Sequence, residues 1–275
     1  MSEVKVLVHE LLPPVIKRWV RQHLGGWGNR FEGDFNTWEQ AIGQCTGYDN
    51  EDILTKVLDA TLKVKSGLVA YERDSVLFDQ IEYAWPLLAG LMWAAARSAG
   101  KLNVLDFGGS LGSTYFQNRK FLCQLPEVRW SVIEQEHYIK AGQDFIQDEH
   151  LRFYHSIEEC LLENQPNVVL LSSVLQYLQF PFEIMNRISM IKTACLIIDR
   201  TPFSTRNKDI IMIQRVPKSI YPASYPMRVF SENKFMNLIA NDWRLVADTP
   251  CPEGEVYSDM GFKFSFKGIL LEQYH

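Results

Sequence analysis

The spacing of apolar residues along the chain changes character near residue 101. Upstream, apolar positions recur at helical intervals. "VIKRWVRQHL" sets Val15, Ile16, Trp19 and Val20 on one side and Lys17, Arg18, Arg21 and Gln22 elsewhere. This predicts an amphipathic helix with a basic face, suited either to pack on the main body or to make peripheral contact with an anionic membrane surface. "GGWGNRFEGDFNTWEQA" reads as an irregular segment running into a helix capped near Asn36 or Thr37, and "NEDILTKVLDATLKVKSG" as a helix from an Asn50 cap to a Gly67 stop. "YERDS", residues 71–75, is expected to lead straight into a helix, "VLFDQIEYAWPLLAG", with Asp74 or Ser75 as its cap.

Downstream, short apolar runs alternate with helical stretches. Seven strand candidates emerge: "LNVLDF", "RWSVIEQ", "LRFYHS", "NVVLLSS", "ACLIIDR", "WRLVADT" and "GFKFSFKGILLEQ". Each of the first five is followed by a segment of helical or mixed pattern, the rule for parallel βαβ units. Only "PCPEGEVYSDM" separates the last two, too little for a crossover helix, so these should pair as an antiparallel hairpin. The expected fold class is α/β: a Rossmann-like, seven-stranded, mostly parallel sheet with a C-terminal antiparallel hairpin. A helical region over residues 1–100 is expected to precede it and cap the active site, leaving residues 101–275 as the sheet domain.

Composition narrows the partners. The net charge of -5 gives no general reason to bind nucleic acid. The five cysteines are scattered with no C-x-x-C pair, which argues against a disulfide framework or structural zinc and for a reducing cytoplasm. No signal-peptide pattern opens the chain, and the richest apolar stretch, "WPLLAGLMWAAARSAG", reads as a buried core helix. The six histidines are dispersed, so no bound metal is expected.

The candidate chemistry centres on "NVLDFGGSLGSTYF", 103–116, where a strand ends in Asp106 and a glycine-rich turn opens a helix. Taking Gly108 as the first glycine of a dinucleotide G-x-G-x-x-G puts Ser110 and Ser113 where glycine is required, a poor fit. An acid, any residue, then G-x-G-x-G is the pattern of S-adenosylmethionine-dependent methyltransferases. Asp106, Gly108 and Gly112 match it, with Gly109 inside the turn and Ser110 replacing the middle glycine. An acid there suits a ligand that carries an ammonium and a sulfonium, whereas it would repel a pyrophosphate. Glu134 ends the next strand about 20 residues beyond the turn, where an acid commonly accepts hydrogen bonds from ribose hydroxyls.

"YERDSVLFD", "LDFGGSLGSTYFQNR", "VIEQ", "LLSSVLQYL", "LIIDRTPF" and "YPASYP" together resemble a family of methyltransferases often found with bacterial lipopolysaccharide, O-antigen or capsule genes. The likeness runs from about Trp27 to the C-terminal strand. It implies a class I methyltransferase domain over residues 101–275, S-adenosylmethionine as cofactor and a glycan or small-molecule acceptor; through "VIEQ" it adds Gln135 to the cofactor residues. The rivals are an NAD-dependent sugar-modifying oxidoreductase and a non-catalytic cofactor-binding subunit.

Other residues carry two readings each. Ser172 and Ser173, where the fourth strand ends, either contact the methionine part or cap a helix. His155 and Ser156 follow the third strand, where adenine contacts usually lie; a structural role is the alternative. Asp199 could take the proton of an acceptor hydroxyl or pair with Arg200 or Arg206. Arg73 and Asp74 are expected to orient ligand, Tyr71 and Arg200 to contact the acceptor. Tyr221 and Tyr225 in "SIYPASYP" are expected to stack a sugar ring or to sit in a surface loop.

Overall fold

The run Val168–Ser172 is apolar at every position but its last, a pattern that places both faces of a strand out of water. Neighbouring strands follow suit, and alternate residues point to opposite faces: Val104, Val168, Leu170 and Ile197 enter one core, Leu105, Val169, Leu171 and Ile198 the other. The computed structural model describes residues 29–47, 51–73, 75–217 and 223–274.

All seven expected strands are present. They are β4 (Lys101–Phe107), β5 (Glu127–Ile133), β6 (Leu151–Tyr154), β7 (Val168–Ser172), β8 (Cys195–Ser204), β11 (Trp243–Tyr257) and β12 (Lys263–Gln273). Their spatial order is β6-β5-β4-β7-β8-β12-β11. The first five are mutually parallel, and β12 runs antiparallel to both β8 and β11. The fold is therefore a Rossmann-like α/β sheet ending in an antiparallel hairpin. Helices fill the crossovers: α4 (Ser113–Leu122), α5 (Glu136–Ala141), α6 (Ile157–Glu163), α7 (Pro181–Ser189) and α8 (Glu232–Ile239). The predicted core helix is α3 (Trp85–Arg97), which buries Leu87, Leu88, Leu91, Ala94 and Ala95. No helix among the described residues is long and apolar enough to cross a membrane.

The region before residue 101 is not the all-helical segment its spacing suggested. It does hold α1 (Trp38–Ile42), capped by Thr37, whose hydroxyl accepts from the Gln40 N–H, and α2 (Glu51–Lys65). It also contributes β1 (Arg30–Phe35), which pairs antiparallel with β9 (Ile210–Arg215), itself antiparallel to β10 (Ser224–Ser231). β10 pairs with the main sheet through Phe230 and Ser231, opposite Phe203 and Ser204 of β8. A three-stranded flap thus extends the sheet, held down by the edge-on packing of Phe31 on Phe264, ring centroids 5.1 Å apart. Gly33 at φ +80° and Pro226 in β10, both rare inside strands, hid two of its strands from a reading of spacing.

The helix expected to follow "YERDS" starts nine residues late, at Trp85 instead of Val76. β2 (Tyr71–Arg73) and β3 (Val76–Phe78) form a hairpin, with Ser75 at φ +65° in its turn rather than at a helix cap. Short runs with Val76, Phe78 and Tyr71 suit a pleated surface, and Pro86 then fixes the true helix start. The basic helix around Trp19, the Asn50 cap, Asp74 and Tyr221 lie outside the described residues.

Removing the Phe31 ring should unseat the flap. We expect Phe31→Ala to lower unfolding free energy by about 3 kcal/mol in urea denaturation, the low end of the cost of deleting a buried aromatic.

Candidate functional site

The turn after β4 is built for a backbone without side chains. Gly108 and Gly112 hold φ of +75° and +86°, the left-handed region that glycine enters freely. A Cβ on Gly108 would lie 2.4 Å from Val174 Cγ2, and one on Gly109 2.5 Å from Asp106 Oδ2. Ser110, the departure from the glycine pattern, adopts a left-handed conformation too, at φ +53°. Its N–H donates to Glu134 Oε1 at 3.3 Å, while the other carboxylate oxygen accepts from the Gln135 N–H at 2.8 Å. The Gly108 N–H completes the seam with a 2.8 Å bond to the Ile133 carbonyl. Glu134 therefore locks the tip of β5 to the turn. Burial pushes its carboxyl above the usual range, and these two N–H donors draw it back.

Asp106 lies beneath the turn rather than on its rim. It is 1% exposed, and its Oδ2 accepts from the Trp130 indole N–H at 2.9 Å. Burial pushes its carboxyl up to about 7, against the opposing pull of the Trp130 bond; Glu134 adds repulsion, and the Arg200 cation draws it down. A cation brought to this turn would be electrostatically welcome.

Where the end of β7 pairs with the middle of β8, Ser172 opposite Asp199, the two readings of Asp199 separate. Its Oδ2 accepts from Ser172 Oγ at 2.9 Å and pairs with Arg200 Nε at 3.4 Å, and Arg200 also donates to Ser172 Oγ at 3.2 Å. Asp199 is 8% exposed, with Cys251 Sγ 3.8 Å from its Oδ1. Burial first, and the Asp199 charge second, push that thiol up to about 12, which leaves it unreactive. The ion pair is the arrangement present: Asp199 holds Arg200 instead of standing free as a base. Ser173, at φ +56°, sends its N–H to the Asp199 carbonyl and accepts from Gln176. Neither serine caps a helix.

His155 and Ser156 both make local contacts around the start of α6. Ser156 caps α6 by accepting from the Glu159 N–H, and Glu159 returns a bond to the His155 N–H. The His155 ring contacts Glu136 at 2.8 Å. Tyr225 is no open stacking wall either. Its ring meets Tyr177 edge-on at 5.0 Å, and Gln214 bridges the two hydroxyls.

The hairpin supplies what spacing missed. Strand pleating puts Tyr71 and Arg73 on one face of β2 and Glu72 on the other. Glu72, 2% exposed, accepts from the Ser113 hydroxyl at the first position of α4 and from the Ser75 N–H at 3.2 Å. Reading the stretch as a strand would have separated these faces. Among the described residues, no group of three or more His, Cys, Asp or Glu could hold a metal ion.

No protein-family model matches the chain, and no curated protein matches it. Solved structures similar to it include the N-terminal domain of EvdMO1 in the presence of SAH and D-fucose (10% identity, 80% of this chain and 97% of that one, TM-score 0.47). Others are an S-adenosylmethionine-dependent methyltransferase from Clostridium acetobutylicum ATCC 824 (8%, 70% and 92%, 0.45) and the mitomycin 7-O-methyltransferase MmcR (15%, 68% and 53%, 0.42). At these scores the likenesses carry no argument about function, which rests on the residues.

The raised Asp106 pKa has a measurable sign. Between its unfolded value of 3.8 and its folded value of about 7, the folded chain keeps a proton that the unfolded chain has lost, so this group's contribution to stability falls as pH rises across that window. Asp106→Asn should remove the slope, a difference between pH 4 and pH 7.5 of up to about 4 kcal/mol in denaturant unfolding. Identical pH profiles for the two proteins would refute the assignment.

Proposed function

We propose that the chain is an S-adenosylmethionine-dependent methyltransferase acting on a hydroxyl of a surface-polysaccharide sugar or its precursor. One observation carries the cofactor: a turn with three left-handed residues, packed too closely at Gly108 and Gly109 to admit a side chain, clamped by an acid at the tip of the next strand. The residues fit that ligand. Glu134 keeps lone pairs for ribose hydroxyls, and a cationic amino-acid end brought beside the buried Asp106 would favour the ionised form of a carboxyl that burial has pushed up to about 7. Gly108, Gly109, Ser110 and Gly112 give the backbone surface against which the ligand lies, while Ser172 and Ser173 border it from β7. The sugar acceptor rests on the resemblance of "YERDSVLFD", "LIIDRTPF" and "YPASYP" alone.

Bound S-adenosylmethionine supplies a methyl group on a sulfonium, an electrophile that needs no further activation. What remains for the protein is to align the acceptor oxygen in line with that methyl and to keep water out. The hairpin β2–β3, bolted to the start of α4 through Glu72, is the element we assign to closing the site, and residues 1–100 to capping it. Arg200, held by Asp199 and Ser172, faces the same end of the sheet and is assigned to the acceptor side together with Tyr71.

Calorimetric titration with S-adenosylmethionine and with NAD tests the reading. We expect binding of the first and not the second. Glu134→Ala should weaken it by about 1.5–3 kcal/mol, and Gly108→Val should abolish it by driving a β-branched side chain into Val174 at a positive φ. Unchanged affinity in a folded Glu134→Ala protein would dismiss that acid from the site, and binding of NAD alone would replace the methyltransferase with the oxidoreductase.

A further inference from the structure

The two faces of β2 do different work. Glu72, on one face, is buried and fixed to Ser113, the residue that follows Gly112 directly. β2 therefore cannot shift relative to the glycine turn without breaking the bond between Glu72 and Ser113. The other face carries Tyr71 and Arg73. Tyr71 is buried and stacks on Phe78 with ring centroids 5.8 Å apart. Its hydroxyl accepts from Arg73 Nε at 3.1 Å, and the guanidinium lies 5.7 Å over its ring. The Arg73 head is thus oriented by a rigid aromatic that is itself anchored to the cradle.

That bond engages one of the five guanidinium donors and leaves the paired Nη fork. Arg73 is partly buried, and among the described residues no carboxylate lies within ion-pair distance of it. Arg200 differs, being tied to both Asp199 and Ser172. A preoriented fork with no acid paired to it among the described residues matches a planar anion that can accept two parallel bonds, which is the geometry of a carboxylate. The acids of the site, Asp106 and Glu134, suit the cationic and hydroxyl parts of the ligand and would repel its anionic part.

Building on the cofactor reading, we infer that Arg73, oriented by Tyr71, anchors the carboxylate at the amino-acid end of S-adenosylmethionine. This makes the hairpin a sensor of the complete cofactor as well as a cover. The sulfonium is held by shape and potential in the turn, the carboxylate by a fork on the opposing strand, and the two are joined through Glu72.

The experiment compares S-adenosylmethionine with decarboxylated S-adenosylmethionine, which keeps the ammonium and sulfonium and lacks only the carboxylate, in calorimetric titrations of wild type, Arg73→Ala and Arg73→Lys. Wild type should prefer the complete cofactor by about 10–100-fold, the worth of a charge-assisted pair. Arg73→Ala should bind the complete cofactor more weakly by a similar factor while binding the decarboxylated form almost as wild type does. Arg73→Lys, which keeps the charge and loses the fork, should fall between. Equal weakening of both ligands would make Arg73 a mere support of the hairpin, and no weakening of either would turn it towards the acceptor; both overturn the inference. Should wild type bind neither ligand, the cofactor reading itself fails, an outcome separate from the other two. Should Arg73→Ala not fold, the same comparison is decided by Arg73→Lys, whose loss must be confined to the complete cofactor.

Discussion

The constraint on which this architecture turns is that the chain must leave the buried end of β4 and enter α4 through a turn with no room for side chains. Val174 stands where a Cβ on Gly108 would go, and the Asp106 carboxyl stands where one on Gly109 would go. The turn is fixed from below by Asp106 and Trp130, and from the side by Glu134 and the Ile133 carbonyl. The hairpin reaches it from above through Glu72 and Ser113. Three distant segments therefore agree on one local conformation, and none of them holds its own position independently of it.

Strain gathers at the same end of the sheet. Five described residues other than glycine have positive φ: Ser75, Ala99, Ser110, Ser173 and Arg200. Ser75 sits in the hairpin turn, Ser110 and Ser173 just past the carboxyl ends of β4 and β7, and Arg200 inside β8, one residue beyond Asp199, the β8 partner of Ser172 at the end of β7. Conformations of this kind cost about 1–3 kcal/mol each and survive where surrounding contacts over-determine them. Here the contacts are visible: Glu134 takes the Ser110 N–H, the Asp199 carbonyl takes the Ser173 N–H, and Asp199 with Ser172 holds the Arg200 head. The amino-terminal end of the sheet shows only Ala99 in this class, so the asymmetry marks the carboxyl end as the working one.

What could be read in advance follows from the range of the interactions. The seven main strands were legible because burial on both faces writes itself as continuous apolar runs, and Asp106, the glycines and Glu134 because one βα unit fixes their mutual placement by spacing. β1 was hidden because its partner lies about 180 residues away and Gly33 interrupts it, and β10 because Pro226 reads as loop. The hairpin was mistaken for a helix start since a polar cluster before apolar residues resembles a cap, and only the contact with Ser113 distinguishes the two. For Asp199 the partners were invisible: Arg200 is adjacent in sequence, but Ser172 and Cys251 are not, and the surroundings of the carboxylate depend on all three.

The fate of Asp199 bears on what kind of catalyst this site can be. A carboxylate that already accepts from a hydroxyl and a guanidinium, and is nearly out of water, would have to surrender both bonds to act as a base, and the ion pair that holds Arg200 at a strained backbone position would be lost. The local energetics instead favour a fixed Arg200, and with it a fixed rim. In the methyl transfer we propose, the sulfonium leaving group already drives the reaction strongly, so a rigid rim, a backbone cradle and a hairpin fastened to that cradle would address the part of the barrier that remains, which is alignment. The chain has placed its buried acids and its backbone strain where they hold geometry, and geometry is what such a reaction demands of a protein.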